Sequence, residues 1–250
     1  MSADFKDHFS DNSDQYLAYR PRYPASLFQQ LSDLTTGHDC AWDCATGSGQ
    51  AAQELGRFYA RVIATDASQT QIKSAVRNSK VDYWVALAEN SAIRLQSIDL
   101  VTVAQAMHWF DIDKFSDEVS RVLKPGGVLA AWTYGLTRVE PGIDELVNHL
   151  YGPVLEPYWP QERKMIENEY RDFRLPLPEI AMPGYEMTQQ WSLPQFMGYL
   201  GTWSAIRLYR QQTDTDPLEV LLADFQRQWG GADTLKTITW PVVVRVWRKA

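Results

Sequence analysis

The chain has 250 residues and 28.7 kDa, with 45% hydrophobic and 22% charged residues. That length and balance support a sizeable buried core and exclude wholesale disorder. Lys and Arg number 24 against 31 Asp and Glu, for a net charge of −7, so the basic excess that usually drives nucleic-acid binding is missing.

Residues 1–16 are polar and acidic, without the apolar core of a signal peptide. No run approaches the roughly 18 apolar residues of a membrane span, so a cytoplasmic location is expected. After Pro24, Leu27, Phe28, Leu31 and Leu34 fall on one helical face. Residues 40–44 form a short apolar strand. Its two cysteines, four apart along a strand, would place their Cα atoms roughly 13 Å apart, too far for a disulfide. Two Cys and 4 His give no zinc spacing, so no metal is expected. Residues 50–59 read as a helix with Ala51, Ala52, Leu55 and Phe58 on one side, and 61–65 as a second strand. Ser68 is the expected cap of a helix carrying Ile72, Ala75 and Val76. Residues 81–86 and 99–104 supply third and fourth strands. Asp113 is the expected cap of a helix that buries Phe115, Val119, Val122 and Leu123. Lys124-Pro125-Gly126-Gly127 reads as a stop and turn before a fifth strand over 128–133.

Residues 136–184 are richer in proline and aromatics, with helical pieces near 143–150 and 161–172. A strand over 185–191, helices over 194–210 and 217–229, and a long strand over 237–248 follow. Pro241 places the start of that strand at an edge or bulge. Alternating strands and helices dictate right-handed crossovers and a mostly parallel sheet covered on both faces. The expectation is a single domain over 1–250. Its core is about 26–135 with 185–191 and 237–248, its N-terminal cap segment is 1–25, and a helical lid insert covers about 136–184 and 192–236.

Ligands of open α/β sheets sit outside the carboxyl ends of the strands. There, Asp43-Cys44-Ala45-Thr46-Gly47-Ser48-Gly49 ends the first strand and opens a helix. Glycines admit a close ligand and a positive φ, and the helix start offers free N–H groups. Asp66 ends the second strand seventeen residues after Gly49, where a carboxylate can accept bonds from both ribose hydroxyls. Turn and acid together point to a nucleoside-containing cofactor. Gly47-x-Gly49-x-x-Ala52 also fits the dinucleotide fingerprint, so an NAD(P)-dependent oxidoreductase is one reading. Asp43, ahead of the glycines, would repel a pyrophosphate but could pair with the ammonium of an amino-acid moiety. A catalytically inactive cofactor-binding partner subunit is a third reading.

These motifs resemble class I S-adenosylmethionine-dependent methyltransferases, and within them the methyltransferase type 11, trans-aconitate methyltransferase-like group. The family's first motif, D-x-G-x-G-x-G, stands as Asp43 to Gly49, with Ala45 replacing the first glycine. The second acid is Asp66, the adenine segment is Ala86-Leu87-Ala88-Glu89-Asn90, and the fourth motif runs over 99–110. Residues 104–111 (AQAMHWFD), the Val-Leu-Lys-Pro-Gly-Gly turn over 122–127 and Tyr19-Arg20-Pro21-Arg22-Tyr23-Pro24 also match. The resemblance implies a Rossmann-like α/β fold with a seven-stranded, mostly parallel sheet, its last strand antiparallel, and a helical lid insert.

It further implies S-adenosyl-L-methionine as cofactor and in-line methyl transfer to a small organic molecule, with a carboxylate or hydroxyl as acceptor and no metal. The implied cofactor contacts are Tyr16, Arg20, Asp43, Ala45, Gly47, Gly49, Asp66, Ala67, Ala88, Glu89, Gln105 and Ala106. His108 ends the fourth strand, placed to act as a base for a protonated acceptor. His108, Trp109, Trp132, Tyr134 and Trp203 are candidate substrate contacts, and Arg20, Arg22 and Arg207 are candidate carboxylate partners. The Asn-Pro-Pro-Tyr-type motif of amino-group DNA and glutamine methyltransferases is absent, since Gln105-Ala106-Met107-His108 stands there. A small-molecule substrate, with neither nucleic acid nor membrane as partner, is therefore expected. The 10 Trp divide accordingly: Trp42, Trp84, Trp240 and Trp247 on strands, Trp109 and Trp132 near strand ends, and Trp159, Trp191, Trp203 and Trp229 over the site with Tyr151, Tyr158 and Tyr199.

Overall fold

The computed structural model describes residues 21–250. Helix α1 (Ala25–Asp33) precedes an alternating series: β1 (Cys40–Cys44), α2 (Gln50–Leu55), β2 (Arg61–Asp66), α3 (Gln69–Ser74), β3 (Val81–Val85), β4 (Ile98–Ala104), α4 (Ile112–Val122) and β5 (Leu123–Tyr134). A 3-10 turn, Met107–Trp109, lies between β4 and α4. Then come α5 (Pro141–His149), which runs on into a π-helical turn (Leu150–Val154), α6 (Arg163–Glu167), β6 (Glu179–Ile180), β7 (Tyr185–Trp191), α7 (Leu193–Gly201), α8 (Ser204–Thr213), α9 (Pro217–Trp229) and β8 (Lys236–Arg248).

The strands form one sheet in the order β3-β2-β1-β4-β5-β8-β6, with β7 also pairing β8. β1 to β5 run parallel, and β8 is antiparallel to β5, β6 and β7. Eight strands stand where seven were expected, because the short β6 continues the line of β7 along the outer edge of β8. The order reverses between β1 and β4, so a crevice opens at their carboxyl ends. Apolar residues alternate across the sheet. Ala41, Leu100, Val128 and Trp132 face α1, α2 and the C-terminal helices. Trp42, Val101, Leu129 and Trp247 face α4 and the 166–173 segment.

Local differences from the expected elements have physical reasons. Asp111, not Asp113, caps α4, its carboxylate accepting the Lys114 N–H. α3 ends at Ser74 because Ala75 is already extended, which leaves Val76 exposed. Lys124 to Gly127 interrupt the β4–β5 ladder as an irregularity inside β5, with Gly126 at φ 77°, and do not end the preceding element. The helix expected over 161–172 stops at Glu167, and Glu169 and Tyr170 take left-handed conformations. The one expected over 194–210 breaks at Thr202–Trp203 into α7 and α8. Pro241 sits one residue past the last β5 pair, Tyr134 with Val242. Its missing N–H falls in the gap left where the chain leaves β5.

Candidate active site

The turn after β1 is held in a conformation that most residues resist. Ala45, Gly47 and Gly49 have φ values of 54°, 56° and 86°, in the left-handed region that favours glycine. Gly49 is also required by space, because an added Cβ would collide with the Tyr83 hydroxyl from β3. The turn is pinned from both sides. The Thr46 N–H donates to the Thr65 carbonyl of β2 at 2.8 Å. The Gly47 N–H donates to Asp66 Oδ2 at 2.8 Å, while Asp66 Oδ1 accepts the Ser68 N–H at 2.8 Å. Asp66 is thereby oriented at the end of β2. Ala67 beside it is half-buried.

Asp43 is 1% exposed. Its Oδ1 accepts the Thr102 hydroxyl at 2.7 Å and its Oδ2 the Thr46 hydroxyl at 2.5 Å. Thr102 is the register partner of Asp43 across β1 and β4, so the pairing of the strands dictates the contact. Burial pushes the Asp43 pKa up to about 6, against the lowering pull of the two hydroxyls. Asp43 thus acts on the turn through Thr46. Ala88 is buried and Glu89 half-buried past β3. Glu89 Oε1 accepts the Asp111 N–H at 2.9 Å, which ties this segment to the start of α4.

The carboxyl ends of β4 and β5 form the other end of the site. Gln105, at φ 57°, accepts the Thr133 hydroxyl at 2.9 Å, and Ala106 beside it is buried. His108 is buried in the following turn, its Nδ1 3.0 Å from the Tyr170 hydroxyl and its ring 4.7 Å from that of Trp109. Burial, and then the charge of Arg163, lower its pKa to about 3, so it stays neutral throughout the physiological range. Trp132 is fully buried and packs edge-on against Tyr23 and Phe28 at 5.4 and 6.0 Å. Tyr134 is nearly buried beyond it.

Trp203, at the break between α7 and α8, lies 5.9 Å from Tyr151 and 5.7 Å from Trp159. Trp191, Tyr199 and Trp240 form a second cluster, with the Trp240 Nε1 donating to the Tyr199 hydroxyl at 2.9 Å. Trp229 packs on Phe196 at 5.3 Å, farther along the same helical layer. The strand tryptophans Trp42 and Trp240 are core residues at 0% exposure.

The structure therefore brings Asp43, Ala45, Gly47, Gly49, Asp66 and Ala67 together around the first two strand ends, and Gln105, Ala106, His108 and Trp109 around the fourth. Tyr16 and Arg20 lie outside the described residues. Pro21 is within reach of the turn, its carbonyl accepting Gln50 Nε2 at 3.1 Å. No residue pattern marked Tyr83 behind Gly49, the Thr46 and Thr102 clamp on Asp43, or Tyr170 on His108. The last contact joins residues 62 positions apart. No group of three or more His, Cys, Asp or Glu side chains poised for a metal exists among the described residues. Among them, too, no helix is long and apolar enough to cross a membrane.

The geometry suits S-adenosylmethionine. The left-handed turn leaves space beside Gly47, where an added Cβ would meet only Gln71 Oε1 at 3.9 Å, and the oriented acid ends the neighbouring strand. Comparison with known proteins agrees. Residues 42–131 match the model of a methyltransferase domain family. A Dictyostelium discoideum protein named as a methyltransferase is 31% identical, the match covering 98% of this chain and 96% of that one. A Saccharomyces cerevisiae protein named as an S-adenosylmethionine-dependent methyltransferase is 29% identical over 49% of this chain, which spans only 45% of its length. The solved structure of a type II methyltransferase from Anaeromyxobacter dehalogenans superposes with a TM-score of 0.87 at 43% identity, covering 92% of this chain and 98% of that one.

Proposed function

The chain belongs to the class I S-adenosylmethionine-dependent methyltransferases, and from that premise we propose that its acceptor is a small organic molecule held between the β4–β5 ends and the aromatic layer of residues 136–236. The family membership sets aside the nicotinamide oxidoreductase reading. The observation that carries the acceptor reading is the aromatic wall of Tyr151, Trp159 and Trp203, with ring centroids 4.9, 5.7 and 5.9 Å apart. Small-molecule sites are lined this way, with a few placed polar groups, and here the Arg163 guanidinium stands over two of the rings.

S-adenosylmethionine supplies the activated sulfonium methyl when bound. The protein's part is to orient and to exclude water. Asp66, ending the strand beside the turn, accepts the ribose hydroxyls. The Ala45–Gly49 turn offers a close approach of the backbone to the ligand. Ala67, Ala88 and Glu89 flank the adenine, and Gln105 and Ala106 border the methionine portion. His108 serves as a neutral hydrogen-bonding partner for the acceptor, because a group that weakly basic removes a proton poorly at neutral pH. Trp109, Trp132, Tyr134 and Trp203 shape the acceptor side.

A labelled-methyl assay tests this against a panel of small acids, phenols and amines. Transfer to at least one class is expected. Silence across the panel, from protein that binds S-adenosylhomocysteine, contradicts the small-molecule reading.

A further inference from the structure

Arg163 differs from the seven arginines that hold an ion pair among the described residues. Arg57, Arg61, Arg121, Arg171, Arg210, Arg227 and Arg245 each pair with a carboxylate. Arg163, half-buried at the start of α6, pairs with none among the described residues. Its Nε donates to the Tyr151 hydroxyl at 2.9 Å, and its guanidinium carbon lies 5.2 Å from the Tyr151 ring centre and 4.9 Å from that of Trp159. The Tyr151 hydroxyl in turn donates to Glu167, so that carboxylate is occupied by the tyrosine. The two terminal nitrogens of Arg163 make no hydrogen bond or ion pair among the described residues.

A half-buried cation without an anion is costly, and aromatic faces offset only part of that cost. The guanidinium fork matches a carboxylate or phosphate in two parallel bonds. The position is also informative. α6 packs against the Met107–Trp109 turn, and the charge of Arg163 acts on both His108 and Tyr170. Arg163 therefore stands on the side of the β4 end, with its guanidinium over the Tyr151 and Trp159 rings.

We propose that Arg163 anchors an anionic group of a planar acceptor whose body rests against Trp159 and Trp203. This inference rests on the acceptor site described above. It fixes which feature of the acceptor is recognised and leaves open which atom is methylated.

Benzoate and its neutral isostere benzamide are suitable probes, titrated calorimetrically into the full-length protein with and without S-adenosylhomocysteine. The wild-type chain should bind benzoate at least tenfold more tightly than benzamide. Arg163→Gln, checked for folding by circular dichroism, should remove that preference, and Arg163→Lys should keep a smaller part of it. Equal affinity for the two probes, binding of neither, or a preference that survives in Arg163→Gln would overturn the anchor. The wild-type comparison decides alone if the glutamine variant does not fold. Failure of S-adenosylhomocysteine to bind would count against the cofactor assignment and is read out separately.

Discussion

The two ends of the site are built from different material. The cofactor end is mostly backbone: a left-handed turn, the N–H groups of Gly47 and Ser68 on one carboxylate, and the buried Asp43 clamped by two threonine hydroxyls. The proposed acceptor end is mostly side chains, drawn from the Met107–Trp109 turn, from Tyr151, Trp159, Arg163 and Tyr170, and from the break at Trp203. A backbone cradle tolerates little change and suits a ligand of fixed chemistry. A cage of rings can change shape one residue at a time. Changes at the first end should move folding and cofactor affinity together, and changes at the second should move acceptor binding alone.

The largest expected effect concerns Asp43. Its folded pKa is raised from the ordinary 3.8 to about 6, so the folded state holds that proton more tightly than the unfolded one. The sign follows: this group's contribution favours folding most below pH 4 and declines as pH rises through 6. The displacement corresponds to about 3 kcal/mol. Denaturant melts at pH 4, 5, 6 and 7 should show Asp43→Asn losing less stability over that interval than the wild type does. Parallel curves for the two proteins would remove Asp43 from the account.

Gly49→Ala comes next. A positive φ and a collision with Tyr83 together should cost about 2 kcal/mol of stability and weaken S-adenosylhomocysteine binding as well. Unchanged melting and affinity would show that the cradle is softer than described. At the other end, Trp159→Leu should raise the acceptor KM about tenfold, a change of about 1.4 kcal/mol, with S-adenosylhomocysteine affinity unmoved. A matching loss of cofactor affinity would break the contrast between the two ends.

The smallest effect is Ala45→Gly. Relief of a left-handed alanine at φ 54° is worth about 1 kcal/mol, and the looser unfolded chain returns about half of it. A thermal melt should show a slight gain or no change, and a clear loss would mean that the Ala45 methyl packs usefully.

This contrast also governs what could be read from the sequence. Asp43 to Gly49 and Asp66 are short-range signals, because a strand end, a glycine turn and the next strand end follow one another in the chain. The parallel order followed from alternating apolar runs, and β7 and α9 appear at the residues that periodicity marked. The π-helical turn after α5 and the left-handed Glu169 and Tyr170 left no periodic trace. The same holds for the acceptor end: Tyr170 reaches His108, and Trp203 reaches Trp159, through tertiary packing that residue spacing does not encode. His108 was visible as a residue type, but its neutral state depends on burial and on Arg163, 55 positions away.

The central claim is that the turn after β1 and the acid ending β2 together hold the nucleoside of the cofactor. Calorimetry of S-adenosylhomocysteine binding to the wild-type chain and to Asp66→Ala tests it most directly. Loss of the ribose hydrogen bonds to a charged group should weaken binding by about 1.5–3 kcal/mol, roughly 10- to 150-fold, in protein that remains folded. Equal affinity of the two proteins, with folding intact, would contradict it.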